Sequence, residues 1–149
     1  MSVIFSRSCE YAIQSVLYLA RKGGNRTVLL REISDSLGIP HHFLSKVLQL
    51  LSRHGIVVSQ KGANGGFALA QPLNTIMLAD IVEAVDGDAL MTECVLGFPE
   101  CDSEHPCPAH HTWKEAKAII STMLHEKTLG ELGKEFDRKL SRTMKRKGR

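Results

Sequence analysis

Apolar residues recur at helical spacing in three successive segments near the start of the chain. Residues 7–22 carry one such stripe, and residues 30–37 carry a second, shorter one that stops at Gly38. Pro40 suits the first turn of a third helix, because its missing N–H is not needed there. We predict that this helix ends at Gly55 and buries its apolar face, which consists of Phe43, Leu44, Val47, Leu48 and Leu51.

The periodicity changes after the third helix. Short apolar runs at 56–58 and 67–69 flank the glycine-rich segment 62–66. Within it, Asn64-Gly65 predicts a tight hairpin turn, since both residues tolerate a positive φ. Three helices followed by a two-stranded hairpin predict a mainly α fold, a winged helix-turn-helix with a small β-hairpin wing.

The second half of the chain contains a segment without periodicity between helical stretches. A short helix is expected over 78–85, whereas residues 91–111 contain three prolines and are predicted to form a loop. A helix follows over 112–124, and the capping-box pattern from Thr128 to Glu131 opens another. The predicted organisation is a winged helix-turn-helix domain over 1–86, a cysteine-rich loop over 87–111, a dimerisation helix region over 112–138 and a basic, flexible tail over 139–149.

The composition agrees with one globular domain and an appendage. The 149 residues are 43% hydrophobic and 23% charged. No apolar run approaches the roughly 20 residues that a membrane span needs, and the N-terminus lacks the apolar core of a secretory signal. We therefore expect a cytoplasmic protein with no membrane partner.

The net charge of +3 hides an uneven distribution. Residues 1–61 contain eight basic and three acidic residues, residues 62–110 contain no basic and eight acidic residues, and residues 111–149 contain eleven basic and five acidic residues. Basic ends around an acidic middle favour the binding of a polyanion by the terminal segments.

The third helix is the candidate DNA-recognition helix, because a helix-turn-helix places the start of its second helix near base edges in the major groove. Glutamine can bond adenine, while lysine and arginine neutralise phosphates. One such module has a small footprint, so we expect a homodimer on a pseudo-palindromic double-stranded operator, joined through the helix over 112–124. The candidate DNA-binding residues are His41, His42, Ser45, Lys46, Gln49 and Arg53 on the helix, and Ser59, Lys61, Gly62 and Asn64 in the wing.

The predicted loop contains three of the four cysteines, in the pattern Cys94-x6-Cys101-x5-Cys107-x2-His110. Structural zinc sites pair their ligands at closer spacing, so evenly spread cysteines better suit an iron–sulfur cluster wrapped by a loop. Three cysteines leave a fourth position to a different ligand, either an imidazole such as His110 or a carboxylate. A zinc site of the Cys3His type and a metal-free thiol switch are the alternatives, whereas Cys9 is predicted to be a small core residue.

An enzyme is not expected. Cys107 and His110 are too close in sequence for a typical nucleophile–base pair. The chain also contains neither a conventional catalytic motif nor a second domain large enough to bind a substrate.

Several of these segments together resemble the iron–sulfur cluster regulator family of bacterial transcription factors, whose relatives include nitric-oxide-sensing and cysteine-metabolism repressors. The resemblance covers residues 3–124 and rests on IPHHFLSKVLQLL at 39–51, GIVVS at 55–59, KG at 61–62, GGFALA at 65–70 and the cysteine segment that ends in CPAHHTW at 107–113. It implies a homodimeric repressor or activator with one cluster per subunit. The implied cluster ligands are Cys94, Cys101, Cys107 and His110, and a 2Fe–2S cluster is favoured over a 4Fe–4S cluster.

The sequence also departs from the family pattern. The first gap between cysteines is one residue longer than usual, so the loop should bulge. Ser45 stands where the regulators carry a glutamate that tunes promoter choice, and Lys61 stands where they usually carry a wing arginine. Glu10 matches a position at which related sensors supply an acidic ligand from the partner subunit, and it is the alternative fourth ligand. The signal implied is redox state, nitric oxide, or the supply of iron or clusters.

Overall fold

A computed structural model describes residue 2 and residues 4–147, with the side chains of the last helix described up to residue 139 and at 142. The described chain is mainly helical with one antiparallel hairpin. The elements are α1 (Arg7–Arg21), α2 (Leu30–Leu37), α3 (His41–Arg53), β1 (Val57–Gln60), β2 (Gly66–Leu69), a 3-10 turn (Leu73–Thr75), α4 (Leu78–Asp86), α5 (Ala89–Thr92), α6 (His110–Glu126) and α7 (Leu129–Lys147).

Helices α1, α2 and α3 form the predicted helix-turn-helix core. The Ser6 hydroxyl caps α1 by accepting the N–H of Cys9 at 3.1 Å. Gly38 ends α2 with a φ of 66°, as expected for a glycine stop. Pro40 stands one position earlier than predicted, as the N-cap of α3.

One predicted core residue of α3 is wrong. Leu44, Val47, Leu48 and Leu51 are buried, but 49% of the Phe43 surface is exposed. Successive residues of a helix are rotated by about 100°, so the stripe centred on Leu44 and Leu48 turns Phe43 away from the core.

The wing forms as predicted, but its turn does not. Strands β1 and β2 pair from Val57↔Leu69 to Gln60↔Gly66, which leaves a five-residue loop at 61–65. Asn64 and Gly65 do not adopt positive φ; Gly62 and Gly66 do, at 104° and 139°. The chain therefore reverses direction through a longer loop than predicted. The positive φ angles that the reversal needs are adopted by Gly62 and Gly66.

The segments after the wing pack against the same core as α1, α2 and α3. Gly87 ends α4 as expected, and Thr128 with Glu131 forms the predicted capping box at the start of α7. Leu129 is fully buried in the main core. The predicted basic tail begins inside α7, which stays helical to Lys147, while residues 148–149 lie outside the described residues.

Helix α7 can extend this far because its apolar face is anchored. Leu132 and Phe136 pack against the same core as Leu129, and Arg21 of α1 pairs with Asp137 at 2.9 Å. Within the described part of the chain, no helix is long and apolar enough to cross a membrane.

Candidate metal centre and DNA-binding surface

The four predicted cluster ligands lie in two close pairs. The Sγ atoms of Cys94 and Cys107 are 3.7 Å apart. The Sγ atom of Cys101 and the Nδ1 atom of His110 are also 3.7 Å apart. The loop thus folds back so that its first and third cysteines meet, while its second cysteine meets the start of α6.

These separations match two ligands on one tetrahedral metal atom. With metal–sulfur bonds of about 2.3 Å and metal–nitrogen bonds of about 2.0–2.1 Å, two sulfur ligands lie about 3.8 Å apart and a sulfur and a nitrogen about 3.6 Å apart. Among the described residues, no three Cys, His, Asp or Glu side chains converge as one ion would require. Each pair on its own has the separation expected of two ligands on one metal atom.

The backbone around Cys94 favours its thiolate. Cys94 follows α5 and begins a turn in which the N–H of Gly97 donates to its carbonyl at 3.0 Å. Hydrogen bonds from the backbone N–H groups of Phe98 and Leu96 lower the pKa of the Cys94 thiol, with Phe98 the larger cause. These hydrogen bonds therefore favour the thiolate, which is the form in which a cysteine can bind metal.

His110 is the histidine that the fold directs toward the cysteines. It is the first residue of α6 and only 6% exposed, and its N–H donates to the carbonyl of Cys107 at 3.0 Å. His111 packs edge-on against it, with ring centroids 5.4 Å apart, but is exposed. His105 is also exposed, beside Asp102 at 3.8 Å.

Two side chains of α6 that the sequence analysis did not identify hold the segment before Cys94. The indole N–H of Trp113 donates to the carbonyl of Glu93 at 3.1 Å. One turn later, the ammonium group of Lys117 donates to the carbonyl of Met91 at 2.8 Å. Their i, i+4 spacing places both side chains on one helix face. This spacing is visible in the sequence and could have indicated a shared contact surface.

Neither Glu10 nor Cys9 faces this loop within the described contacts. Glu10 accepts a hydrogen bond from the backbone N–H of Ser2 and pairs with Arg7 at 3.7 Å. Cys9 is fully buried, as predicted. Burial, followed by the nearby Asp86 carboxylate, raises the pKa of the Cys9 thiol to about 12, so it stays neutral.

Nine of the ten predicted DNA-binding residues are exposed. Ser45 is half-buried and close to Gln49, whose amide lies 3.4 Å from its hydroxyl. The wing is joined to the segment before α2 by a hydrogen bond from the Thr27 hydroxyl to Gln60 at 3.0 Å. The exposed members are His41, His42, Lys46, Gln49 and Arg53 on α3, and Ser59, Lys61, Gly62 and Asn64 in the wing.

Helix α6 presents an apolar face to solvent in the single chain. Ile119 is 72% exposed and Met123, one turn later, is 45% exposed. Val95, Leu96 and Phe98 of the cysteine loop are exposed by about half as well. This is the helix that the sequence analysis predicted to join two subunits.

Comparisons with known proteins agree with this architecture. Residues 5–135 match the model of the Rrf2 family, described as iron-dependent transcriptional regulators. The HTH-type transcriptional regulator IscR of Vibrio campbellii (strain ATCC BAA-1116) is 31% identical over 126 residues, which are 85% of this chain and 74% of that protein.

Two solved structures are similar over most of their length. The structure of T. potens IscR has a TM-score of 0.70 at 27% identity, covering 91% of this chain and 88% of its own. CymR (YrzC), the global cysteine regulator of B. subtilis, has a TM-score of 0.76 at 24% identity, covering 90% and 98%. The second likeness shows the fold alone, and both confirm the predicted winged-helix fold.

Proposed function

This chain belongs to the Rrf2 family of transcriptional regulators, and from that premise we propose that an iron–sulfur cluster on its cysteine loop controls its binding to operator DNA. The family is one of transcriptional regulators and not of enzymes, as the sequence predicted. The finer proposal is a homodimer with one 2Fe–2S cluster in each subunit.

The arrangement of the donors in two pairs carries this proposal. In a 2Fe–2S cluster each iron takes two protein ligands. In this proposal Cys94 and Cys107, which are 3.7 Å apart, would hold one iron. Cys101 and His110, also 3.7 Å apart, would hold the other. The four side chains thus supply the expected number of ligands, and Glu10 is not needed from the partner subunit.

A bound cluster would supply a redox-active group that oxidants, nitric oxide or iron scarcity can remove. Contacts within the chain connect the cysteine loop to the DNA-binding domain. Trp113 and Lys117 hold the segment before Cys94 against α6. Toward the N-terminus, the same segment is continuous with α5 and, through Gly87, with α4. Ile81 of α4 is fully buried with residues of α1 and α3 in the main core. Ordering of the loop can therefore reposition the recognition helices.

The size of this regulatory effect has a thermodynamic limit. Loop ordering changes DNA affinity only by the difference in cluster affinity between the DNA-competent and DNA-incompetent conformations. Two subunits joined through Ile119 and Met123 would place both recognition helices on one pseudo-palindrome. Burial of these two exposed side chains provides a favourable apolar contribution to that association.

The test compares operator binding by His110→Ala and His111→Ala. The two histidines are adjacent, but His110 faces Cys101, whereas His111 is exposed. After anaerobic reconstitution, we expect wild type and His111→Ala to be coloured and to change DNA affinity when the cluster is removed. His110→Ala should lose or destabilise the cluster and respond much less. Equal colour and equal response in both variants would contradict the ligand assignment.

A thiol switch without a cluster is the second candidate, and the contact between Cys94 and Cys107 favours it specifically. Sulfur atoms 3.7 Å apart can close to a disulfide when hydrogen peroxide takes up two electrons and the two thiol protons and leaves as two water molecules. Cys101→Ala separates the two proposals, because this residue is outside the pair. Regulation that survives in Cys101→Ala and disappears in Cys107→Ala would favour the thiol switch.

A further inference from the structure

Phe43 is an aromatic side chain that the fold leaves in water at the start of α3. It is 49% exposed, although its neighbours Leu44, Val47 and Leu48 are buried in the core. Its ring rests against His42, with the ring centroids 4.2 Å apart and the planes tilted by 38°. Folding of the single chain therefore leaves about half of this apolar surface uncovered.

The position of Phe43 is at the edge of the candidate DNA-reading face. With about 100° between successive residues, His42, Lys46 and Gln49 lie on one face of α3, and Phe43 lies roughly a quarter turn away. Phe43 is also in the first turn of the helix. The first residues of a recognition helix are those that approach base edges most closely.

The major groove offers one apolar group that matches such a side chain, the 5-methyl group of thymine. We propose that Phe43 is a specificity-determining residue that packs against thymine methyl groups in the operator. The inference rests on the proposed DNA binding and extends it to the recognition of particular bases. The polar side chains of α3 position the helix and bond base edges, while Phe43 selects thymine at the adjoining positions.

The test uses the full-length protein and the duplex that the wild-type protein enriches from a random-sequence library. Each thymine of this duplex is replaced in turn by uracil, which removes only the methyl group. One buried methyl contributes roughly 0.8 kcal/mol, so we expect a loss of affinity of about fourfold at each contacted position. In Phe43→Ala, replacement of those same thymines by uracil should have no effect.

Two variants make the result specific. Gln49→Ala should weaken binding but keep the sensitivity to uracil, because Gln49 lies on the polar face. Phe43→Leu should restore part of the sensitivity, because leucine is also apolar. Since Phe43 is half exposed, its replacement should leave the circular dichroism spectrum unchanged.

The possible failures are distinguishable. If wild type binds its duplex but no thymine is sensitive to uracil, the inference about Phe43 is wrong and DNA binding stands. The same conclusion follows if Phe43→Ala keeps the sensitivity of wild type. If the wild-type protein enriches no duplex at all, both the proposed DNA binding and this inference are overturned.

Discussion

Replacement of Gly66 by alanine should destabilise the wing through a backbone collision. A Cβ atom at this position would lie 2.2 Å from the carbonyl oxygen of Val28 and 2.6 Å from its carbonyl carbon. That oxygen also accepts the N–H of Phe67 at 2.8 Å, and the N–H of Val28 donates to the Phe67 carbonyl at 2.8 Å. The added methyl group therefore opposes the bridge that fastens β2 to the segment before α2.

The magnitude follows from these contacts. A non-glycine residue held at a φ of 139° costs about 1–3 kcal/mol. Loss of the two hydrogen bonds of the bridge costs about 0.5–1.5 kcal/mol each. Gly66→Ala should thus lower the free energy of unfolding by about 2–6 kcal/mol. At roughly 4 °C per kcal/mol for a chain of this size, Tm should fall by about 8 °C or more.

Gly62→Ala is the matched control in the same wing. Gly62 also has a positive φ, of 104°, but a Cβ atom there would meet nothing within 4 Å. Only the conformational cost of about 1–2 kcal/mol remains. Thermal unfolding of both variants, followed by circular dichroism on metal-free protein, measures the difference. If both variants melt at the same temperature, the collision with Val28 does not decide the stability of the wing.

Four further predictions concern the cluster loop, the buried thiol and the wing. Trp113→Phe removes the hydrogen bond to Glu93, so the visible absorbance of the cluster should decay roughly two- to tenfold faster in air; an unchanged decay would contradict a positioning role. Alkylation of native, metal-free protein at pH 8 should label Cys94 well before Cys9, as followed by mass spectrometry. The reason is that burial raises the pKa of the Cys9 thiol to about 12. Equal labelling of the two cysteines would contradict that burial. Since this pKa lies above the ordinary value of 9.0, the stabilisation from the buried neutral thiol should be complete below pH 9 and decrease between pH 9 and 12. Lys61→Ala should reduce the log–log slope of operator affinity against salt concentration by about one unit if the lysine neutralises one phosphate, and an unchanged slope would show that Lys61 binds no phosphate.

The helices and the wing could be predicted because their signals are local. Glycine stops, the apolar stripes and the capping box at Thr128 depend on a few neighbouring residues, and the structure has each element close to its predicted place. The predicted turn of the wing was wrong, since β2 begins at Gly66, whose backbone lies tightly against Val28. That contact is distant in sequence and leaves no local pattern.

The cysteine loop was only partly predictable for the same reason. The spacing identified Cys94, Cys101, Cys107 and His110 as a set. Which of these side chains become neighbours depends on how the loop folds back on itself. The apolar character of Phe43 suggested a core position. Its exposure depends on which face of α3 the other core elements pack against.

We have proposed that the two donor pairs of the cysteine loop hold one 2Fe–2S cluster in each chain. The most direct measurement is the content of iron and acid-labile sulfide, with the absorption spectrum, in protein purified and reconstituted without oxygen. We expect a brown protein with about two iron and two sulfide ions per chain. A colourless protein that resists reconstitution, or one that holds a single zinc ion per chain, would contradict it.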